Sequence, residues 1–467
     1  MLKILPETIT PNTISHTIAF GQTGGGKTAN IIAPALKELF EEKQKLNGNM
    51  ACLIIDPKLE LKNIALNLEA DKEKVCMIDG RPNSLRFNPF EGSWDKRLSE
   101  RVMPIYINNT DMGHSHNASF RDKAKAIMVQ FLNLAEQYYL NTGNNIFQDV
   151  YLLDNNSMSM KDFNFFDYMK YLIDEIPNIS TDIKTGPKEN IIDNLVDFAR
   201  TAGVQSQYYR FLNPLRGGTI GRVASEQWFY YISYYENFLT LLTDSRVKKY
   251  CSVEPLKPTK EATLYDKFRE GYTVIYQTDP TENTSIEQSL IGKFIKSIFY
   301  KYTFVRSDKN QLCAYVCDEF HRFITLDNET GEHNFLDRCR SNKVICILAS
   351  QSIEAIENNI NTFTNESVSQ KVKVLLNNVG NKYFFRSSDI GTQQYIEAVV
   401  QTPPSGGPKV TNVRPLTVME TGQCYYFKAN GDWGIKQFKL NPSLFISQQQ
   451  AANDDQDDDD ELYMVEG

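Results

Sequence analysis

At 467 residues with 41% hydrophobic content, the chain is long enough for two or perhaps three domains with an ample core. No run approaches the roughly eighteen apolar residues of a membrane span, and no charged-then-apolar leader opens the chain, which argues against a transmembrane helix and a secretory signal. The net charge of −8 looks adverse to nucleic acid, but residues 451–467, "AANDDQDDDDELYMVEG", hold six Asp and two Glu with no Lys or Arg, and account for all of it. The remaining body is formally neutral and can still carry a basic patch or pore, because local field matters more than total charge.

In chain order, the first element is "HTIAF" (16–20), a short apolar run that reads as a strand. It runs into "GQTGGGKT", in which Gly21, Gln22, Thr23, Gly24, Gly25, Gly26, Lys27 and Thr28 satisfy the phosphate-loop spacing G-x-x-x-x-G-K-[ST]. Glycines let the backbone N–H groups converge on a phosphate, and Lys27 places a full positive charge near the β and γ groups. The Thr28 hydroxyl is suited to completing a Mg²⁺ shell. A helix over residues 27–46 follows, with Ile31, Ile32, Ala35, Leu36, Leu39 and Phe40 at three- and four-residue intervals. It would hold an anion at its N-terminus. Pro34 should kink it or distort its first turns.

Apolar runs at 50–57 and 74–80 read as two further strands. From Trp94 to about Tyr250 the strand pattern gives way to helical periodicity, as in "RDKAKAIMVQFLNLAEQYYL" and "FNFFDYMKYLIDEI". A third run there, "SEQWFYYISYYENFLTLLTD", places Trp228, Tyr231, Ile232, Tyr235, Phe238, Leu239 and Leu242 on one face, which reads as helical core rather than a base-stacking platform. Strands resume at 272–280, 312–319, 344–351 and 382–389, separated by helical stretches such as 289–304. Several are apolar throughout, as parallel strands covered on both faces must be. The expectation is an α/β fold with a doubly wound sheet, divided as residues 1–95 and 251–447, with an all-α domain at 96–250. Residues 424–440 read as a hairpin around Asn430-Gly431. The acidic segment 448–467 is too polar to pack and serves either solubility or docking, with Leu462, Tyr463, Met464 and Val465 as an apolar anchor.

The eight cysteines are scattered without C-x-x-C pairs, which points to a reducing cytoplasm rather than disulfides or zinc. His114 and His116 have no partner ligands nearby and read as loop residues.

The strand at 312–317 delivers Asp318 and then Glu319, the pair an ATPase needs beside its phosphate loop. Asp318 would hold Mg²⁺, directly or through water, and Glu319 would orient and deprotonate the attacking water. GTPases and small-molecule kinases usually lack this paired acid. Gln351 ends the next strand, placed to sense the γ-phosphate or polarise the water. Cys313 and Cys317 read as small core residues.

As an ordered set these pieces resemble the coupling-protein ATPases of type IV secretion and conjugation, the TraG/TraD family within the HerA/FtsK superfamily. "DPKLEL" (56–61) is similar to their DPKGEL signature, with Leu59 where glycine is usual. "RFNPF" (86–90) is similar to their Asn-Pro-Phe turn, and "CDEFHRF" followed by "RCRSNKVICILASQS" resembles their acidic pair, Arg-rich segment and strand ending in Gln. The resemblance spans residues 16 to about 440 and implies a RecA-like, mostly parallel sheet. It implies a homo-hexameric ring that hydrolyses ATP with Mg²⁺ to move single-stranded DNA, bound to a relaxase or relaxosome, into the secretion channel at the cytoplasmic face of the inner membrane. An arginine is then expected to reach across subunits to the γ-phosphate. Arg322, Arg338 and Arg340 follow Glu319; Arg340, just before the strand that ends at Gln351, is the choice, with Arg386 as runner-up. Typical members carry transmembrane helices ahead of the ATPase domain. Their lack here leaves two readings, a cytoplasmic fragment or a soluble member docking on a separate membrane anchor protein. A secretion ATPase that never touches DNA, a soluble DNA pump of repair or defence, and a non-enzymatic adaptor are the rival functions.

Overall fold

The computed structural model describes residues 3–89, 118–155, 163–176, 191–215, 239–240, 242–251, 263–278, 281, 283–325, 331–359, 368–401 and 413–438. The tail, His114, His116 and most of the third aromatic run lie outside the described residues.

All nine anticipated strands are present and join one sheet. They are β1 (Thr17–Phe20), β2 (Met50–Ile55), β3 (Val75–Ile78), β4 (Thr273–Tyr276), β5 (Leu312–Cys317), β6 (Val344–Ser350), β7 (Asn381–Phe385), β8 (Gln423–Phe427) and β9 (Trp433–Gln437). Their order is β3-β4-β2-β5-β6-β1-β7-β8-β9, parallel from β3 to β7 and antiparallel through the closing β8–β9 hairpin. The fold is α/β, with a RecA-like, mostly parallel sheet.

Alternation within the strands explains why both faces are covered. Ile18 and Phe20 of β1, with Leu53 and Ile55 of β2, pack on one side, while Ala19, Cys52 and Ile54 pack on the other. The second side is closed by helices α1 (Ala33–Lys45) and α2 (Leu61–Leu68) through Leu36, Leu39, Leu61 and Ile64. The first side is continuous with the helical residues between β3 and β4. There the described chain forms α3 (Ala118–Thr142), α4 (Ile146–Asp154), α5 (Phe165–Glu175), α6 (Ile191–Thr201) and a single turn α7 (Ser245–Lys248). The chain leaves and rejoins the sheet region at one place, since the Phe87 N–H donates to the Tyr250 carbonyl (3.0 Å) and Phe87 bridges Cys251. The same buried side takes α8 (Leu264–Arg269), α9 (Ser285–Val305) and α10 (Glu332–Cys339), the first two opened by Thr263 and Thr284 capping boxes. Short helices α11 (Ile353–Asn358), α12 (Val368–Asn378) and α13 (Ile390–Gln401) follow β6 and β7.

The distortion expected from Pro34 lies just upstream of it. Thr28–Ile32 is a π-turn in which the Ala33 N–H donates to the Thr28 carbonyl. Pro34 cannot donate to the Asn30 carbonyl, so the helix loses its normal bond where the register is widened.

All eight cysteines are free thiols. His16, Cys339 and Cys346 meet in the core, but the His16 Nδ1 accepts from the Cys346 N–H (3.3 Å), so its Nε2 carries the proton toward the Leu336 carbonyl (3.2 Å). Neither ring nitrogen is left for an ion.

Candidate active site

Parallel strands place their following loops on one edge, and five of those loops build the site. The loop after β1 is stitched to its neighbours by backbone bonds. The Gly21 N–H donates to the Gln351 carbonyl after β6 (3.1 Å), the Gln22 N–H to the Arg386 carbonyl after β7 (2.9 Å), and the Gly422 N–H returns to Gly25 (3.4 Å). Gly26 has a φ of +99°, and a Cβ at Gly21 would lie 2.7 Å from the Phe385 Cβ, so both positions require glycine. Gln22, Thr23 and Gly24 are exposed at the tip, open to a ligand, while Lys27 is buried. Its ammonium rests on the loop's own Gly21 (2.5 Å) and Gln22 (3.2 Å) carbonyls. Burial lowers the Lys27 pKa, the nearby Lys58 ammonium lowers it further, and Asp318 and Glu319 pull the other way.

β6 separates the phosphate-loop strand from the acidic strand β5, and this strand order puts Gln351 between the loop and the acids. Its Nε2 donates to the Glu319 Oε2 at 3.1 Å. The same oxygen lies 3.3 Å from His321 Nε2, whose Nδ1 meets the Ser350 hydroxyl at 3.3 Å. Burial lowers the His321 pKa despite Glu319. Asp318 is fully buried, and its Oδ2 accepts from the Thr28 hydroxyl at 3.4 Å. A buried carboxylate facing a hydroxyl at a helix start is a hard oxygen set that fits Mg²⁺.

Glu319 itself sits in the left-handed region (φ +48°, ψ +40°), a strain of about 1–2 kcal/mol for a residue with a Cβ. Burial pushes its pKa up, but the contact with Lys58 outweighs this and leaves it below the usual carboxylate range.

Lys58 and its support escaped sequence reasoning, although the "DPK" that contains them was noticed. Lys58 pairs with Glu319 Oε1 and lies 3.5 Å from Asp318 Oδ2. Burial disfavours its charge, yet the two carboxylates raise its pKa overall. The presenting loop is built by the fully buried Asp56, which accepts from the N–H groups of Glu60 (3.2 Å), Leu61 (2.7 Å) and Lys62 (3.2 Å) and from Gln277 Nε2 (2.7 Å). Leu59 occupies the left-handed region at φ +61°, which explains why a glycine suits the position.

The two arginine candidates fall on opposite edges. Arg386 is exposed beside the phosphate loop, and Arg340 is exposed at the amino edge, the seven-residue length of strand β6 away from this site.

No protein-family model matches this sequence, and no curated protein matches it. Solved structures do. The bacterial conjugative coupling protein TrwBdeltaN70, in an unbound form, superposes over 94% of this chain and 87% of its own, with a TM-score of 0.52 and 11% identity. The chain has the fold of TrwB. The plasmid coupling protein TrwB in complex with the GTP analogue GDPNP covers 94% of this chain and 91% of its own, and the complex with the ATP analogue ADPNP covers 91% and 86%; both have a TM-score of 0.52 and 12% identity. Among the described residues, no helix is long and apolar enough to cross a membrane.

Proposed function

We propose that this chain is an ATP-hydrolysing motor of a type IV secretion or conjugation system, a coupling protein that moves single-stranded DNA toward the channel. The observation that carries the reading is the convergence of Lys27, Thr28, Asp318, Glu319 and Gln351 on one sheet edge. The likeness to TrwB, which has been solved with ATP and GTP analogues and with ADP and Mg²⁺, supports nucleotide and Mg²⁺ as its ligands.

In this reading the loop residues Gly21 to Thr28 bind the phosphates, and Lys27 leaves the loop carbonyls for the β and γ groups. Thr28 and Asp318 hold Mg²⁺, which when bound neutralises charge developing on the phosphates. Glu319 takes the proton of the attacking water, and Gln351 orients both. An arginine finger from a neighbouring subunit completes the site, with Arg340 assigned to it because it is exposed and far from its own loop. A homo-hexamer, a relaxosome that delivers the DNA, channel proteins that receive it and a separate membrane anchor at the cytoplasmic face of the inner membrane complete the assignment.

The test is ATPase rate with and without single-stranded DNA, together with mixing of subunits. Stimulation by DNA is expected. Equal rates with and without DNA would favour a secretion ATPase acting on no nucleic acid. Arg340→Ala and Lys27→Ala proteins, each inactive, should regain DNA-stimulated activity when mixed, and no recovery at any ratio of assembled protein would remove Arg340 from the finger role.

A further inference from the structure

Two buried carboxylates, Asp318 and Glu319, stand side by side with one ammonium between them. The Lys58 ammonium is in direct contact with Glu319 Oε1 and neutralises it. Its other oxygen is held independently by Gln351 and His321. The Asp318 oxygen facing Lys58 is also the one that meets the Thr28 hydroxyl. Lys58 thus covers both the oxygen that a divalent cation needs and the oxygen that a catalytic base would use. It does so from a loop locked by Asp56, with its own side chain a quarter exposed to solvent. Lys58 and Lys27 also repel each other, so both ammonium groups border the same space.

We infer that Lys58 is a removable counter-ion: it neutralises Asp318 and Glu319 while the site is empty, and moves to the terminal phosphate when Mg²⁺ and nucleotide enter. This rests on the ATPase reading above. Losing Lys58 from Glu319 frees Oε1 to accept a proton while Gln351 and His321 keep the carboxylate aimed. Unproductive cation binding is suppressed as well, because a cation alone must displace an ammonium that has no phosphate to receive it.

The first experiment is thermal unfolding of the nucleotide-free protein with MgCl₂ against NaCl of equal ionic strength. Wild type should show no Mg²⁺-specific shift. Lys58→Met should rise by about 3 °C or more, since the bare acidic pair now takes the ion. Lys58→Arg, which keeps the charge, should behave as wild type. An equal Mg²⁺ shift in wild type and Lys58→Met would overturn the counter-ion role. If Lys58→Met does not fold, Lys58→Met/Glu319→Gln, with one charge fewer, should restore folding; if that double variant also fails, Lys58 holds the loop rather than the charge, and the inference falls.

The second experiment measures ATP and ADP affinity in the presence of Mg²⁺, using fluorescent analogues of which the ATP form is non-hydrolysable. Lys58→Met should weaken ATP by about tenfold, the size of one charge-assisted hydrogen bond, and leave ADP unchanged. Equal losses for both nucleotides would overturn the transfer to the terminal phosphate. Wild type that binds neither nucleotide would sink the ATPase reading itself, a result visible without any Lys58 variant.

Discussion

The two ends of β2 are served by lysines in opposite circumstances. At the amino end, Lys43 pairs with a single carboxylate, Glu69 (2.5 Å), and Thr273 bonds both partners at 3.0 and 2.9 Å. One cation meets one anion, although the turn that enters β2 also holds a left-handed residue, Asn47 (φ +52°). At the carboxyl end, Lys58 faces two carboxylates, and the flanking residues Leu59 and Glu319 are both left-handed. A closed buried pair is costly to break by removing one partner, whereas two buried carboxylates sharing one cation leave a charge unbalanced, which costs stability and persists where something else is meant to bind. The same sheet therefore carries a structural lysine at one edge and a functional one at the other.

The largest effect expected at the functional edge is kinetic. Glu319→Gln keeps the shape and the Gln351 contact but cannot take a proton, so kcat should fall about a hundred- to ten-thousand-fold while ATP still binds. Full turnover in a steady-state assay would remove Glu319 from the chemistry.

At the structural edge the expected effect is on stability. Lys43→Ala leaves Glu69 buried without its cation and should cost about 3–5 kcal/mol in denaturant unfolding, with ATP affinity of the folded fraction unchanged. Lys43→Met/Glu69→Leu should recover most of the loss. A loss of nucleotide binding in the folded protein would blur the contrast between the two ends.

A smaller effect is read in pH. His321 has a folded pKa below its ordinary 6.5, so the native state binds the proton more weakly than the unfolded chain does. Acid then favours unfolding, and stability should decline as pH falls below about 6.5 toward the lower folded value. His321→Gln should flatten that part of the stability profile in the nucleotide-free protein. An unchanged slope would show that His321 is not held neutral.

The smallest effect sharpens the strain argument. Leu59→Gly relieves a left-handed side chain but adds freedom to the unfolded chain, for a net gain of up to about 1 kcal/mol. A clear loss of stability would mean that Leu59 packs on something that outweighs its strain.

Much of this was legible in the order of residues. The nine strands are visible because each is a short run of apolar, β-favouring residues, and local composition is sufficient to mark such a run. The phosphate loop and the Asp318-Glu319 pair are visible because their chemistry needs neighbours in sequence. The distorted first turn of the helix after Lys27 is visible because Pro34 lacks a donor. Even the odd residue of the "DPKLEL" run, Leu59, marks a left-handed position that only φ makes explicit.

What the tertiary structure decided is which of these pieces touch. Nothing local places β6 between β1 and β5, yet that order is what lets Gln351 bond both the phosphate loop and Glu319. Lys58 meets Asp318 and Glu319 across some 260 residues of chain, and Asp56 meets Gln277 across 221. Strand order and charge pairing over such separations come from global packing of the sheet, whose energy is shared among all its strands and written in no single stretch. The sequence by itself determined the elements and the spacing of the loop residues; the closing of one lysine over two acids belongs to the fold.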